Sequence, residues 1–124
     1  MEKIKILLVD DEAELVYPMA DRLQIRGFEV AAAENWSDAR KFFDKKRFDV
    51  AVIDMKLPGL SGMDLMKMIL HLQPDIKIIL ISGHGTDEEI RECKNKGACD
   101  LMIKPVKMPN LIKKINEILE IEEK

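Results

Sequence analysis

The 124-residue chain is long enough for one domain that buries most of its apolar surface and too short for two. Its formal net charge is −3 and its 20 Lys and Arg are scattered rather than bunched, so it lacks the basic footprint of a nucleic-acid surface and no direct nucleic-acid binding by this chain is expected. Cys93 and Cys99, without His or Cys partners at zinc spacing, read as reduced packing residues; no apolar leader follows MEKIK and no apolar stretch nears the ~20 residues of a membrane span, so the expectation is a soluble cytoplasmic protein.

Short apolar runs alternate with stretches of helical period, the pattern of βα units that build a parallel sheet with helices on both faces. The first strand is expected at 4–9 and ends on Asp10 and Asp11. The helix after it carries Leu15, Val16, Met19 and Leu23 on one face; Pro18 within it removes one backbone bond and should kink or loosen the preceding turn, and Gly27 stands at a C-cap position. A second strand is expected at 28–33, followed by a helix with Ser37 as its N-cap. The third strand, 49–54, ends on Asp54, ahead of PGLSG turn chemistry. The fourth, 76–82, ends on Ser82 and Gly83. The helix from Thr86 to Lys96 offers only Ile90 and Cys93 as apolar anchors before Gly97, which makes it the element expected to be most mobile. The fifth strand, 100–104, ends on Lys104, whose bond to Pro105 is a candidate cis peptide that would aim the lysine at the strand ends. The last helix sets Leu111, Ile112, Ile115, Ile118 and Leu119 against the sheet. The tail, residues 121–124, reads as a solvated helix end, and the eight methionines as core filler.

Five such units make a doubly wound, five-stranded parallel sheet. In the order 2-1-3-4-5 of flavodoxin-like folds, a three-layer α/β sandwich, the first and third strands are neighbours at the topological switch point, where ligands bind. The carboxyl ends of all strands then share one edge, which gathers Asp10, Asp11, Asp54, Ser82 and Lys104 in one crevice. Hard oxygens suit Mg²⁺, while a hydroxyl and an ammonium suit phosphoryl oxygens. Three carboxylates about 5 Å apart repel by roughly 3 kcal/mol per pair at an effective dielectric near 20, and a cation relieves that repulsion. Asp54 is the candidate nucleophile, since a carboxylate can form an aspartyl phosphate once metal and Lys104 offset the developing charge. Ser82 supplies a donor, and Gly83 lets the backbone approach closely.

A single Asp at a strand end is more often a turn or cap residue. Four strand ends carrying complementary groups outweigh that reading. GHG at Gly83–Gly85 is too short for a phosphate loop, neither a Walker pattern nor GxGxxG occurs, and His71 and His84 read first as solvated residues.

The VDD run at Val9–Asp11, DMKLPGLSG from Asp54 to Gly62, SG at Ser82, GA at Gly97 and KP at Lys104 together resemble the receiver domain of two-component response regulators over essentially the whole chain. The resemblance implies phosphorylation at Asp54 and Mg²⁺ or Mn²⁺ held by Asp11, Asp54 and the backbone carbonyl of Lys56, with Asp10 acting through water. It places Ser82, Gly83 and Lys104 on the phosphoryl group, and it puts Lys56 and His84 where they would set the phosphate's lifetime. It further implies a sensor histidine kinase or histidine phosphotransfer protein as donor and a downstream effector domain or protein, and it allows a homodimer on phosphorylation. The output surface would be the fourth helix, fifth strand and fifth helix. One position departs from the pattern: Leu101 stands where the family carries a Tyr or Phe that swings inward with the Ser or Thr, so Ser82 and Leu101 form the candidate switch.

Two other functions compete. A phosphohydrolase of the haloacid dehalogenase type also uses a strand-end Asp, Mg²⁺, Ser or Thr and Lys, but needs a second Asp two residues on, where this chain has Lys56. A degenerate receiver acting as a plain interaction module is disfavoured by the intact acidic set.

Overall fold

The computed structural model describes residues 2–120; the tail expected to extend the last helix lies outside them. Alternating βα units give β1 (Lys5–Val9), α1 (Ala13–Ile25), β2 (Glu29–Ala33), α2 (Trp36–Phe43) and β3 (Val50–Asp54). A short hairpin of β4 (Lys56–Leu57) and β5 (Leu60–Ser61) precedes α3 (Gly62–Leu72), β6 (Lys77–Ser82), α4 (Asp87–Asn95), β7 (Asp100–Ile103) and α5 (Met108–Ile118). The five long strands are all parallel in the order β2-β1-β3-β6-β7. This is the expected 2-1-3-4-5 winding, with the small antiparallel hairpin added.

Strand alternation divides the core in two. Leu7, Val9, Ala51, Ile53, Ile78 and Leu80 face α2, α3 and α4, whose Ala39, Leu65, Met66, Ile69 and Cys93 complete one cluster. Ile6, Leu8, Val50, Val52, Ile79 and Ile81 face α1 and α5 and pack on Val16, Ala20, Leu23, Leu111 and Ile115. Central β3 is buried along its whole length, as a strand covered on both faces must be.

Local chemistry sets the element ends. Gly27 and Gly97 close α1 and α4 at φ +96° and +121°, the left-handed conformation that glycine adopts without penalty. Thr86 caps α4 by accepting from Glu89 N at 3.1 Å, and Ser61 caps α3 through Asp64 N at 3.1 Å. Cys93 is the buried residue of α4, with Ile90 packed beside it.

Two expectations change. The N-cap of α2 is Asn35, whose Oδ1 accepts from Asp38 N at 2.9 Å; Ser37 lies one residue inside the helix, because the carboxamide two residues earlier already satisfies that free N–H. Leu15 is 44 % exposed: the ridge of α1 that meets the sheet runs Val16–Ala20–Leu23, and Leu15 is turned aside to the flank near Pro105 and Val106. Pro18 lies inside α1, which continues through it as one element of 13 residues.

Candidate functional site

The carboxyl ends of β1, β3, β6 and β7 converge as the strand order requires. Past β1, the Asp10 N–H donates to Ala33 O at 3.1 Å, carrying the ladder one residue beyond the strand. Its Oδ1 accepts from Glu12 N at 2.9 Å, which aims the carboxylate along the sheet edge. Asp54 ends β3 and is 5 % exposed, with Oδ1 accepting from Lys56 N at 3.0 Å. The β4–β5 hairpin then doubles back, and Gly62 N donates to Met55 O at 2.8 Å. A Cβ at Gly62 would stand 2.5 Å from Asp54 O and 2.7 Å from Met55 Cα. Glycine is therefore what lets α3 start against the end of β3.

On the other side, Lys104 N donates to Ser82 O at 2.8 Å, extending the β6–β7 ladder, and the Lys104–Pro105 bond is cis. The Lys104 ammonium reaches three carboxylates: Asp54 Oδ2 at 2.8 Å, Glu12 Oε1 at 3.5 Å and Asp10 Oδ2 at 4.0 Å. Asp11, Glu12, Asp54, Lys56, Ser82, Gly83, His84 and Lys104 line one cavity of about 280 Å³.

Carboxylate oxygens of Asp10, Asp11, Glu12 and Asp54 lie within 4.8 Å of one another. Burial pushes the Asp10 carboxyl above its ordinary value, the Asp54 and Glu12 charges push the same way, and the Glu12 N–H and Lys104 offset them in part. Desolvation pulls the Lys104 ammonium down, but its hydrogen bond to Asp54 and the charges of Asp54, Asp10 and Glu12 outweigh it and hold the ammonium above its usual range. A single lysine leaves most of the four negative charges unmatched, and an all-oxygen donor set suits a hard divalent cation such as Mg²⁺. Asp10, Asp11, Glu12 and Asp54 each offer a carboxylate oxygen to such a set.

The residues singled out from the strand ends thus come together. Ser82 Oγ accepts from His84 N at 3.1 Å, which fixes the hydroxyl at the cavity wall and leaves its own proton free to donate. The Lys56 and His84 side chains are exposed at the rim. A Cβ at Gly83 would meet no atom within 4 Å, so the protein itself does not require glycine there. Leu101 lies outside the cavity, 5 % exposed in the core under α4. A Cβ on Gly85 would stand 3.7 Å from its Cδ2 and 2.7 Å from Ile103 Cδ1, so the loop after Ser82 rests on both residues. Glu12 was not anticipated; its only signal is that it is the third acid in the DDE run. Outside the site, buried Gln73 is held by accepting from Phe48 N at 2.9 Å and donating to Phe48 O at 2.5 Å.

Comparison with known proteins agrees with this geometry. The family model of the response regulator receiver domain matches residues 6–116. Chemotaxis protein CheY of Thermotoga maritima is 29 % identical over 115 residues, covering 92 % of this chain and 96 % of that protein. A CheY-like receiver domain from Methanospirillum hungatei superposes with a TM-score of 0.86 at 29 % identity, over 96 % of this chain and 95 % of its own. One from Clostridium thermocellum gives 0.84 at 32 % identity, over 94 % of both chains. Other relatives are longer: the chain spans 45 % of a response regulator receiver protein of Anaeromyxobacter and 26 % of a transcriptional regulatory protein of Escherichia coli. With the acidic crevice at the switch point, the flavodoxin-like winding and a match to residues 6–116, the chain belongs to the response regulator receiver domains of two-component signal transduction.

Proposed function

We propose that Asp54 accepts a phosphoryl group from the phosphohistidine of a sensor kinase or a histidine phosphotransfer protein, and that the chain signals through the resulting change in its α4–β7–α5 face. The observation that carries this reading is the Asp54 carboxylate, 5 % exposed and 2.8 Å from the Lys104 ammonium, among three further carboxylates. A buried carboxylate matched to one lysine and a cation site is equipped to attack phosphorus and to be carried as an acyl phosphate.

In the transfer, an Asp54 oxygen attacks phosphorus, the P–N bond breaks, and its electron pair returns to the donor imidazole. Mg²⁺ or Mn²⁺, when bound to Asp10, Asp11, Asp54 and the Lys56 carbonyl, supplies charge neutralisation on the phosphoryl oxygens. Lys104 moves its ammonium from Asp54 Oδ2 to a phosphoryl oxygen. Ser82 donates its hydroxyl proton to another, and the open space over Gly83 admits the group. Lys56 and His84, at the rim, control access of the hydrolytic water. The chain catalyses only its own phosphorylation and dephosphorylation: the position two residues past Asp54 is Lys56, which cannot act as the carboxylic acid that a turnover phosphohydrolase uses there. An effector domain or protein reads the shifted face.

The test is incubation with acetyl phosphate and Mg²⁺ followed by intact-mass measurement. The wild type gains one phosphoryl group and Asp54→Asn gains none; a gain that persists in Asp54→Asn overturns the reading.

A further inference from the structure

We propose that Glu12 is a positioning residue for this site, acting through Lys104: it offers the ammonium a second carboxylate, so that Lys104 can leave Asp54 for a bound cation without becoming unpaired. The inference rests on the phosphoacceptor reading for its meaning but not for its test.

Lys104 Nζ sits between two carboxylates of different character. Asp54 Oδ2 at 2.8 Å belongs to a side chain 5 % exposed; Glu12 Oε1 at 3.5 Å belongs to one 46 % exposed. Asp10 Oδ2 is farther, at 4.0 Å, and the Asp10 carboxylate is pinned through its other oxygen by the Glu12 N–H. Of the three partners, Glu12 therefore has the side chain with the most freedom and the most water around it. The backbone that carries it is fixed, since Glu12 O accepts from Leu15 N and Val16 N, both at 3.0 Å, at the start of α1. A flexible carboxylate on a fixed stem at the mouth of the cavity can follow the ammonium over the short distance it must travel.

The energetics assign a direction. A cation and the Lys104 ammonium draw on the same Asp54 carboxylate and repel each other, so cation binding weakens the Lys104–Asp54 pair. An ammonium 28 % exposed that leaves its 2.8 Å partner with no carboxylate to move to loses Coulomb energy and gains little from water. With Glu12 present the ammonium shortens an existing contact instead. Removing the Glu12 charge leaves Lys104 committed to Asp54, and the cation must then compete with it.

The experiment is a calorimetric titration with Mg²⁺ alone on four versions of the 124-residue chain: wild type, Glu12→Gln, Lys104→Met and the double variant. Glu12→Gln keeps the backbone N–H that holds Asp10 and nearly the same shape, and Glu12→Ala repeats the measurement without any polar side chain. If Glu12 acts through Lys104, Glu12→Gln weakens Mg²⁺ binding about fourfold in the wild-type background, the scale of a half-exposed ion pair. In the Lys104→Met background it changes binding less than about twofold. The same loss in both backgrounds overturns the proposal, because Glu12 then acts on the cation directly; no loss in either overturns it as well. The Asp54→Asn mass measurement decides the phosphoacceptor reading separately, and the four-way cycle has the same interpretation whatever that result.

Discussion

Lys104 and Asp54, fifty positions apart, are joined by a hydrogen-bonded ion pair of 2.8 Å that closes one side of the cavity. Lys104 stands 4.0 Å from Asp10, so the lysine offsets the Asp54 charge and leaves the strain of the acidic cluster on Asp10. Asp10→Asn keeps the oxygen that accepts from Glu12 N and removes the charge. It should stabilise the metal-free protein by about 1 kcal/mol at neutral pH while weakening Mg²⁺ binding. Asp54→Asn gains less, since it also loses the ion pair.

The pH dependence has a fixed sign. The folded Asp10 carboxyl, raised first by burial, binds its proton more readily than the unfolded one. Its destabilising contribution is therefore present above the folded value and relieved as pH falls through it. Lys104 is raised by Asp54 and its neighbours, so its stabilising contribution is complete below the ordinary lysine value and lost as pH rises through the folded one. Thermal melts in EDTA should show the gap between Asp10→Asn and wild type closing as pH is lowered from 7 towards the carboxylate range. A lower melting temperature for Asp10→Asn at neutral pH would contradict the assignment of strain to Asp10.

Lys56 and His84 line the cavity with side chains exposed at its rim. Replacing either with Ala should change the rate of phosphate loss severalfold and the rate of uptake by less than about twofold, on the scale of a contact to the attacking water rather than to the nucleophile. Decay and uptake of radiolabelled phosphate measure the two rates. Equal changes in both would show that these side chains act on Asp54 itself.

Gly62 and Gly83 should respond oppositely to Ala. At Gly62 the new Cβ meets backbone atoms, Asp54 O at 2.5 Å and Met55 Cα at 2.7 Å, which cannot rotate away. The variant should lose at least about 2 kcal/mol of stability and bind Mg²⁺ weakly because the end of β3 is displaced. Gly83→Ala meets nothing within 4 Å and should leave stability within about 0.5 kcal/mol, while impeding phosphorylation if the phosphoryl group occupies that space. Chemical denaturation and intact mass decide both.

How much of this was legible in the sequence follows from which interactions are local. Strand order and the convergence of Asp10, Asp54, Ser82 and Lys104 were legible because each group ends an apolar run and parallel winding puts those ends on one edge. The cap of α2 was misplaced by two residues because Asn35 and Ser37 are both good caps and only the geometry shows that Asn35 reaches Asp38 N. Leu15 was misassigned because helical spacing fits both Leu15–Met19–Leu23 and Val16–Ala20–Leu23, and only the packing against the sheet, which buries the second set, chooses. Glu12 was missed because nothing local marks it; its partner is Lys104, brought near by the β6–β7 ladder.

The proposed switch depends on Leu101. This residue is 5 % exposed, and the loop at Gly85 rests on Leu101 and Ile103. If Ser82 moves towards a phosphoryl group, the loop that rests on Leu101 should follow, and Leu101 would fill less of the vacated space than a ring. With the phosphoryl mimic beryllofluoride, amide shifts of residues 84–104 should move part of the way along a line between two states, and Leu101→Tyr should move them further. If the largest shifts lie instead in α1 near Pro18, the output face is elsewhere.

The most direct test of the central claim locates the phosphoryl group chemically. Borohydride reduces an acyl phosphate at the aspartyl carbon, and trypsin then separates Phe48–Lys56, which contains Asp54, from Ile6–Arg22, which contains Asp10 and Asp11. Protein phosphorylated with acetyl phosphate and Mg²⁺ and reduced with tritiated borohydride should carry its label on Phe48–Lys56 alone, with none on the same peptide from Asp54→Asn. Label on Ile6–Arg22, or on no peptide at all from protein that has gained the phosphoryl mass, would contradict the assignment of Asp54 as the phosphoacceptor.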